Sequence, residues 1–307
     1  MAAPAAKPAA PAGKSAPTPA FAPPPPKEVE KPLPPPVNPF ESRTVVIKLT
    51  DNGIVTAHLM LPNAGGAQEV LKGYLINEDK KDKKQTKRRS LQKFVEQYAV
   101  LRAIDHPNIA RTTDIGLSET HLFVAQEYCA GGDLENLIAQ GMAADDAVKV
   151  MLKITGALRV AHEKGFVHGD LRPANVMIRE DGSFAVVDFA LARVVEYAVG
   201  EGESGVMLRS PEYLSPEMIN GQPADMRSDL YTLGLLLHEM LTGKRAYANP
   251  DLSKVMLDQL NAPVPVLPAP HEKFQPLLAK LMAKNPAERF DSVADLIGFM
   301  AEAKLQA

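Results

Sequence analysis

The Asp181-Gly182 pair, with Val176-Met177-Ile178 before it and Phe184-Ala185-Val186-Val187 after it, is the feature that most limits how this chain folds. Asp-Gly supplies the positive-φ positions of a tight antiparallel hairpin, and the apolar runs supply its strands. A two-residue turn centred there pairs Glu180 with Ser183, Ile178 with Ala185 and Val176 with Val187, and so sets Asn175 opposite Asp188. Opposite residues of an antiparallel ladder share a face, with Cβ atoms about 4.5–5.5 Å apart. An amide oxygen and a carboxylate then converge, and so small an oxygen set suits magnesium held jointly with the phosphates of a nucleotide. Asp170 precedes Asn175 in the irregular stretch entering the hairpin, where a carboxylate can accept a hydrogen bond from a nucleophilic hydroxyl. Asn and Asp also cap turns, but three at this spacing, tied by an independent hairpin signal, favour a shared site.

Around this segment the chain changes character. Of 27 prolines, 14 fall in residues 1–39, among alanines and a few lysines. Proline lacks the amide donor and disfavours helix at the residue before it, so a disordered, partly polyproline II tail is predicted over 1–39. Its runs at Pro23–Pro26 and Pro34–Pro36 would serve as a spacer or dock an aromatic groove on a partner. The remaining length, in a chain of 307 residues that is 45% hydrophobic and 23% charged, suffices for a buried core. A formal charge of −3 gives no reason to expect a nucleic-acid partner or an anionic membrane surface. The single cysteine, Cys129, excludes an intrachain disulfide framework and fits a reducing compartment. With no apolar run of signal-peptide or membrane-span length, a cytoplasmic protein is predicted.

From Thr44 the pattern is strand-like. Residues 44–49, 54–61 and 69–76 are short, rich in β-branched and aliphatic side chains, and separated by Asp51-Asn52-Gly53 and by Pro62 to Gly66. Residues 90–104 place Leu91, Phe94, Val95, Tyr98 and Leu101 on one helical face, and 112–117 and 122–128 read as two further strands. After Gly131-Gly132 the spacing becomes helical over 145–164, 228–242, 274–284 and 291–304, with Gly165 and Gly243 as stops. An α+β chain of two lobes is expected: a small lobe over 40–130, with five antiparallel strands and one helix, and a mainly helical lobe over 131–307.

The motifs within this frame resemble those of the eukaryotic-type protein kinase family, especially bacterial Ser/Thr kinases. His168-Gly169-Asp170-Leu171-Arg172-Pro173-Ala174-Asn175 is similar to the catalytic loop, and Asp188-Phe189-Ala190 to the Asp-Phe-Gly element. Ser215-Pro216-Glu217 is similar to Ala-Pro-Glu, Asp225 to Gly234 to the start of the large supporting helix, and Arg289 to the arginine that pairs with the Glu217 equivalent. The resemblance implies a bilobal kinase fold, ATP and Mg2+ as cofactors and a protein substrate docked on Pro211 to Glu217. It implies Asp170 as the group facing the substrate hydroxyl, Arg172 beside the transferring phosphoryl group, and Asn175 and Asp188 on the metal. It also implies Lys72, rather than Lys48, on the nucleotide phosphates, Val70 over the adenine, and Glu127 to Cys129 as the hinge behind it, with Gln126 as a polar gatekeeper.

The small lobe departs from the family pattern. Gln97 stands where the helical glutamate partner of Lys72 belongs, and the three glycines of the phosphate loop correspond to Thr50, Asn52 and Val55. Side chains there hinder the approach of backbone amides to phosphate. Gly169 replaces the arginine that receives an activation-loop phosphate, so no dependence on such phosphorylation is expected. Ala190 adds a methyl where the family has glycine. Three readings follow: an active protein kinase, a pseudokinase that binds or scaffolds, and a small-molecule phosphotransferase, to which His168-Gly169-Asp170 also bears likeness. The basic run Lys80 to Arg89 reads as a solvated connection before the helix.

Overall fold

The computed structural model describes residues 35–51, 55–76, 81–189, 191 and 210–305, with residues 81–89 described by backbone only. The predicted phosphate-loop position Asn52, the Ala190 substitution and nearly all of the proline-rich tail lie outside them.

The small lobe is a five-stranded antiparallel sheet: β1 (Arg43–Asp51), β2 (Val55–Pro62), β3 (Glu69–Leu75), β4 (Thr112–Leu117) and β5 (His121–Glu127), ordered β1-β2-β3-β5-β4. Strand register fixes the faces. Leu59 lies opposite Val70 and Ala57 opposite Lys72, while Val70 and Lys72 lie opposite Gln126 and Val124 of β5. These residues therefore share one face. On the other face Met60, Leu71, Phe123 and Ala125 form a small buried cluster. The chain leading into β1 is already tied down at Val37, whose N–H donates to Leu117 O at 2.9 Å, and at Phe40, whose ring meets His58 edge-on.

Helix α1 (Lys81–Arg102) packs on the sheet through Leu91, Phe94, Tyr98 and Leu101, all buried. It begins well before Ser90: the basic run is the first part of the helix rather than a connection. Lys, Arg and Gln are good helix formers, and the buried stripe of the later turns anchors the earlier ones.

The second lobe is built on α5 (Met226–Thr242), whose residues Ser228 to Leu241 are all buried. A helix buried all round must be apolar all round or have its polar groups paired. Asp225 and Ser228 form a capping box at its start, and Gly243 at φ 68° ends it, as its position in the sequence predicts. Around it stand α2 (Leu134–Ala139), α3 (Ala144–Glu163), α4 (Pro216–Ile219), α6 (Leu252–Asn261), α7 (Gln275–Leu281) and α8 (Val293–Glu302). Apart from the early start of α1, the strand and helix expectations hold to within a few residues, whereas α2, α4 and α6 carry no long apolar period and are not foreseen. Between the lobes lies the two-stranded ladder of β6 (Val176–Ile178) and β7 (Phe184–Val186).

Candidate active site

The loop from His168 to Asn175 is positioned from below by one carboxylate. Asp229 of α5 accepts from Gly169 N–H at 2.9 Å through Oδ1, and from His168 N–H and His162 Nε2 at 2.8 Å each through Oδ2. His168 is fixed in turn: Nε2 lies 3.0 Å from Val187 O, and Nδ1 accepts from Asp170 N–H at 3.2 Å. The two bonds together define the tautomer, with the proton on Nε2. The His168 and Phe189 rings pack with centroids 4.7 Å apart. Gly169 sits at φ 74°, a left-handed backbone that glycine adopts without strain.

Asp170 and Asn175 come together. The Asn175 Nδ2 donates to Asp170 O at 2.7 Å and to Asp170 Oδ2 at 3.1 Å, across the single turn Pro173–Asn175. This leaves the amide oxygen of Asn175 as its acceptor. Arg172 Nε lies 3.6 Å from Asp170 Oδ2. Burial pushes the Asp170 carboxyl above its ordinary value, with Arg172 and His168 opposing that rise.

The hairpin forms with a register one residue different from the expected one. Val176 pairs with Val186, Met177 with Ala185 and Ile178 with Phe184. Val187 N–H donates to Asn175 O at 3.0 Å, so Asn175 faces Val187 and not Asp188. The turn has three residues, Glu180-Asp181-Gly182, rather than two. Arg179 N–H donates to Ser183 O at 2.8 Å, Gly182 at φ 79° returns its N–H to Arg179 O at 3.0 Å, and Asp181 Oδ1 accepts from Ser183 N–H at 2.9 Å. The Asp181 side chain thus draws the turn one residue longer, as Asx turns do. A one-residue slip reverses the face of every side chain. Here Asp188, beyond the ladder, regains the cleft because its own backbone turns left-handed at φ 63°.

Asp188 Oδ2 forms an ion pair with Lys72 Nζ, which joins the two lobes at the cleft. Its other oxygen, Oδ1, is buried with no hydrogen-bond partner among the described residues. A buried carboxylate oxygen without a donor is destabilising unless a cation or water completes it. Together with the Asn175 amide oxygen, this donor set fits magnesium, although the ladder does not place the two side chains opposite each other.

Lys72 occupies the predicted face, whereas Lys48 is exposed and bridges Asp51. Val70 is half-buried on the same face as Lys72. Gln97, expected to accept from Lys72, is exposed, as is Glu96; Tyr98 is the inward residue of that turn, and Lys72 takes Asp188 instead. At the hinge Cys129 is buried, its thiol pushed up to about 11 by burial. The Glu127 carboxylate is held by Arg179, from Nε at 3.1 Å and Nη2 at 2.7 Å. Glu217 and Arg289 form the expected pair as a two-pronged bridge with both bonds at 2.8 Å, and Ser228 Oγ adds a third bond to Glu217 at 2.6 Å. Residue spacing does not single out Arg179 or His162, because each gains its partner only when distant segments meet.

The chain is similar to proteins of known family. The protein kinase domain family matches residues 70–297. Serine/threonine-protein kinase PknL of Mycobacterium tuberculosis is 37% identical over 188 residues, covering 59% of this chain and 47% of PknL. Serine/threonine-protein kinase Pkn1 of Myxococcus xanthus is 29% identical over 212 residues, covering 66% of this chain and 31% of Pkn1. The chain therefore spans between about a third and a half of the length of these curated relatives. The crystal structure of the Mycobacterium tuberculosis PknI kinase domain, a C20A mutant, superposes with a TM-score of 0.62 at 24% identity, covering 89% of this chain and 100% of that one, a likeness of fold. With the family match running from β3 to α8 and spanning the His168–Asn175 loop, the hairpin and the Glu217–Arg289 bridge, the chain belongs to the protein kinase domain family.

Proposed function

We propose that this chain is a serine/threonine protein kinase that transfers the γ-phosphoryl group of ATP to a hydroxyl of a protein substrate. The observation that carries the reading is the joining, at one cleft, of Asp170 with Asn175 and of Asp188 with Lys72. Asp170, steadied by Asn175 and His168, accepts a hydrogen bond from the substrate hydroxyl and takes its proton as the oxygen bonds to the γ-phosphorus and the bond to the ADP oxygen breaks. Arg172, beside Asp170 and permanently charged, offsets negative charge on the transferring group. Lys72 positions the α and β phosphates, beneath a base lying between Val70 and the hinge at Glu127 and Cys129. Asn175 and Asp188 would hold Mg2+, which when bound neutralises phosphate charge. The platform from Pro211 to Glu217 would take the protein substrate. No helix among the described residues is long and apolar enough to cross a membrane, and the single buried cysteine suits a cytoplasmic setting.

A second reading, a pseudokinase, is favoured by one observation: the exposed Gln97 leaves Lys72 without a partner from α1 among the described residues. One assay separates the two. Labelled γ-phosphate from Mg·ATP is offered to the full chain and to a generic basic protein, with Asp170→Ala alongside. Transfer that the substitution abolishes supports the kinase; equal, negligible transfer by both proteins at millimolar ATP overturns it.

A further inference from the structure

Two stretches of chain run from the small lobe against the β6–β7 hairpin. The first is the turn between α1 and β4, where Val186 N–H donates to Asn108 O and Ala110 N–H donates to Val186 O, both at 2.9 Å. The second is the segment that follows the hinge, where Gly131 N–H donates to Ile178 O and Ile178 N–H donates to Gly132 O, both at 2.8 Å. Gly131 lies so close to this strand that a Cβ there would stand 2.7 Å from Arg179 O.

The Arg179 guanidinium sits between these stretches and bonds to both. Nη1 donates to Pro107 O at 2.7 Å and to Ser183 Oγ at 3.2 Å, Nη2 to Ile109 O at 3.4 Å, and Nε and Nη2 grip the Glu127 carboxylate. One planar cation thus links the last residue of β5, the turn before β4 and its own hairpin. The arrangement uses the rigid fork of arginine; a lysine ammonium can hold one partner but cannot span all three.

We propose that Arg179 is a positioning residue that fixes the height and tilt of the hinge, Glu127 to Cys129, together with the residues after it to Gly132, and through it the seat of the nucleotide base. It touches neither phosphate nor substrate; it acts through Glu127. The link to the base rests on the kinase reading above, whereas the grip on the hinge stands apart from it.

Hydrogen exchange on the full chain without nucleotide tests the grip. The amides of Glu127, Tyr128 and Gly131 are hydrogen-bonded to Arg111 O, Gln68 O and Ile178 O, and so start protected. In Arg179→Lys their exchange is expected to quicken about tenfold while α5 amides keep their wild-type rates. If Arg179→Lys also loosens α5, Glu127→Gln, which keeps the side-chain shape but loses the charge, is read in its place, with a severalfold increase expected. Unchanged hinge exchange in the variant that is read overturns the proposal. In the transfer assay KM for ATP should rise about fivefold with kcat changed less than twofold; an equal fall in kcat at unchanged KM would overturn the link to the base. A wild-type chain that binds no Mg·ATP would sink the kinase reading, and the exchange result would still decide the grip.

Discussion

Lys72 and Asp188, 116 residues apart in sequence, form an ion pair across the cleft between the lobes. The pair brings charges of two lobes to one point: a cation on the sheet face that looks into the cleft and a carboxylate beside the His168–Asn175 loop. With Gln97 exposed on α1, Lys72 finds its carboxylate in the other lobe.

Replacing Lys72 by Met removes the cation expected to hold the nucleotide phosphates. Loss of one preorganised donor at a site of developing charge typically lowers the rate by about 10²-fold or more. Steady-state kinetics of Mg·ATP with Lys72→Met should show a fall in kcat/KM of that size, while Lys48→Met, at an exposed surface pair, should leave it unchanged.

The Glu217–Arg289 bridge is predicted to be structural. Both side chains are buried, and removing one partner of such a pair leaves an uncompensated charge at a cost of about 3–5 kcal/mol. Arg289→Ala should lower the melting temperature sharply, as read by calorimetry. Burial alone would raise the Glu217 carboxyl, but the hydrogen bonds from Arg289 and Ser228 overcome it and hold the group below its ordinary 4.5. Its stabilisation is therefore present above that value and lost as pH falls through the lower, folded-state value. Arg289→Ala should lose less stability on acidification than the wild type.

Lys284 gives an alkaline counterpart. Burial and the nearby Arg289 lower its amine to about 8, and it lies 2.9 Å from Tyr247 Oη and 2.7 Å from Gln259 O. Between about 8 and the ordinary 10.5 the unfolded chain holds a proton there that the folded chain does not. Stability from this group therefore rises with pH across that window. Denaturation at pH 8 and pH 9.5 should show the wild type gaining stability relative to Lys284→Met; a difference that stays constant with pH would contradict the lowered value.

Gly234 marks where α5 meets α7. A Cβ there would stand 2.7 Å from Met282 Cγ and 2.9 Å from Leu281 Cβ, neither of which is the loose end of a side chain. Overpacking of this kind costs about 1–3 kcal/mol, more than the helix propensity that alanine recovers. Gly234→Ala should thus destabilise by about 1 kcal/mol in urea unfolding, and a stabilised variant would show that the two helices can part without penalty.

Much of this molecule is local, and local features are legible in a sequence. The alternation of β2 and β3, the apolar stripe of α3 and the stops at Gly165 and Gly243 depend on neighbours within a few residues. The residue types from His168 to Asn175 likewise carry a resemblance to a kinase catalytic loop without coordinates. The tertiary structure decided what required two distant segments at once. It held Val186 of β7 between Asn108 O and Ala110 N–H, in the register that sets Asn175 against Val187 rather than Asp188. It turned Tyr98 inward and Gln97 outward, because the apolar face of α1 had to cover the sheet, and this gave Lys72 to Asp188. It placed Arg179 between the hinge and the turn before β4, contacts 52 and 72 residues away. Periodicity fixes which face a side chain occupies; which partner it meets is set only when the lobes close on each other, since side-chain hydrogen bonds and ion pairs act over a few ångströms and not along the chain.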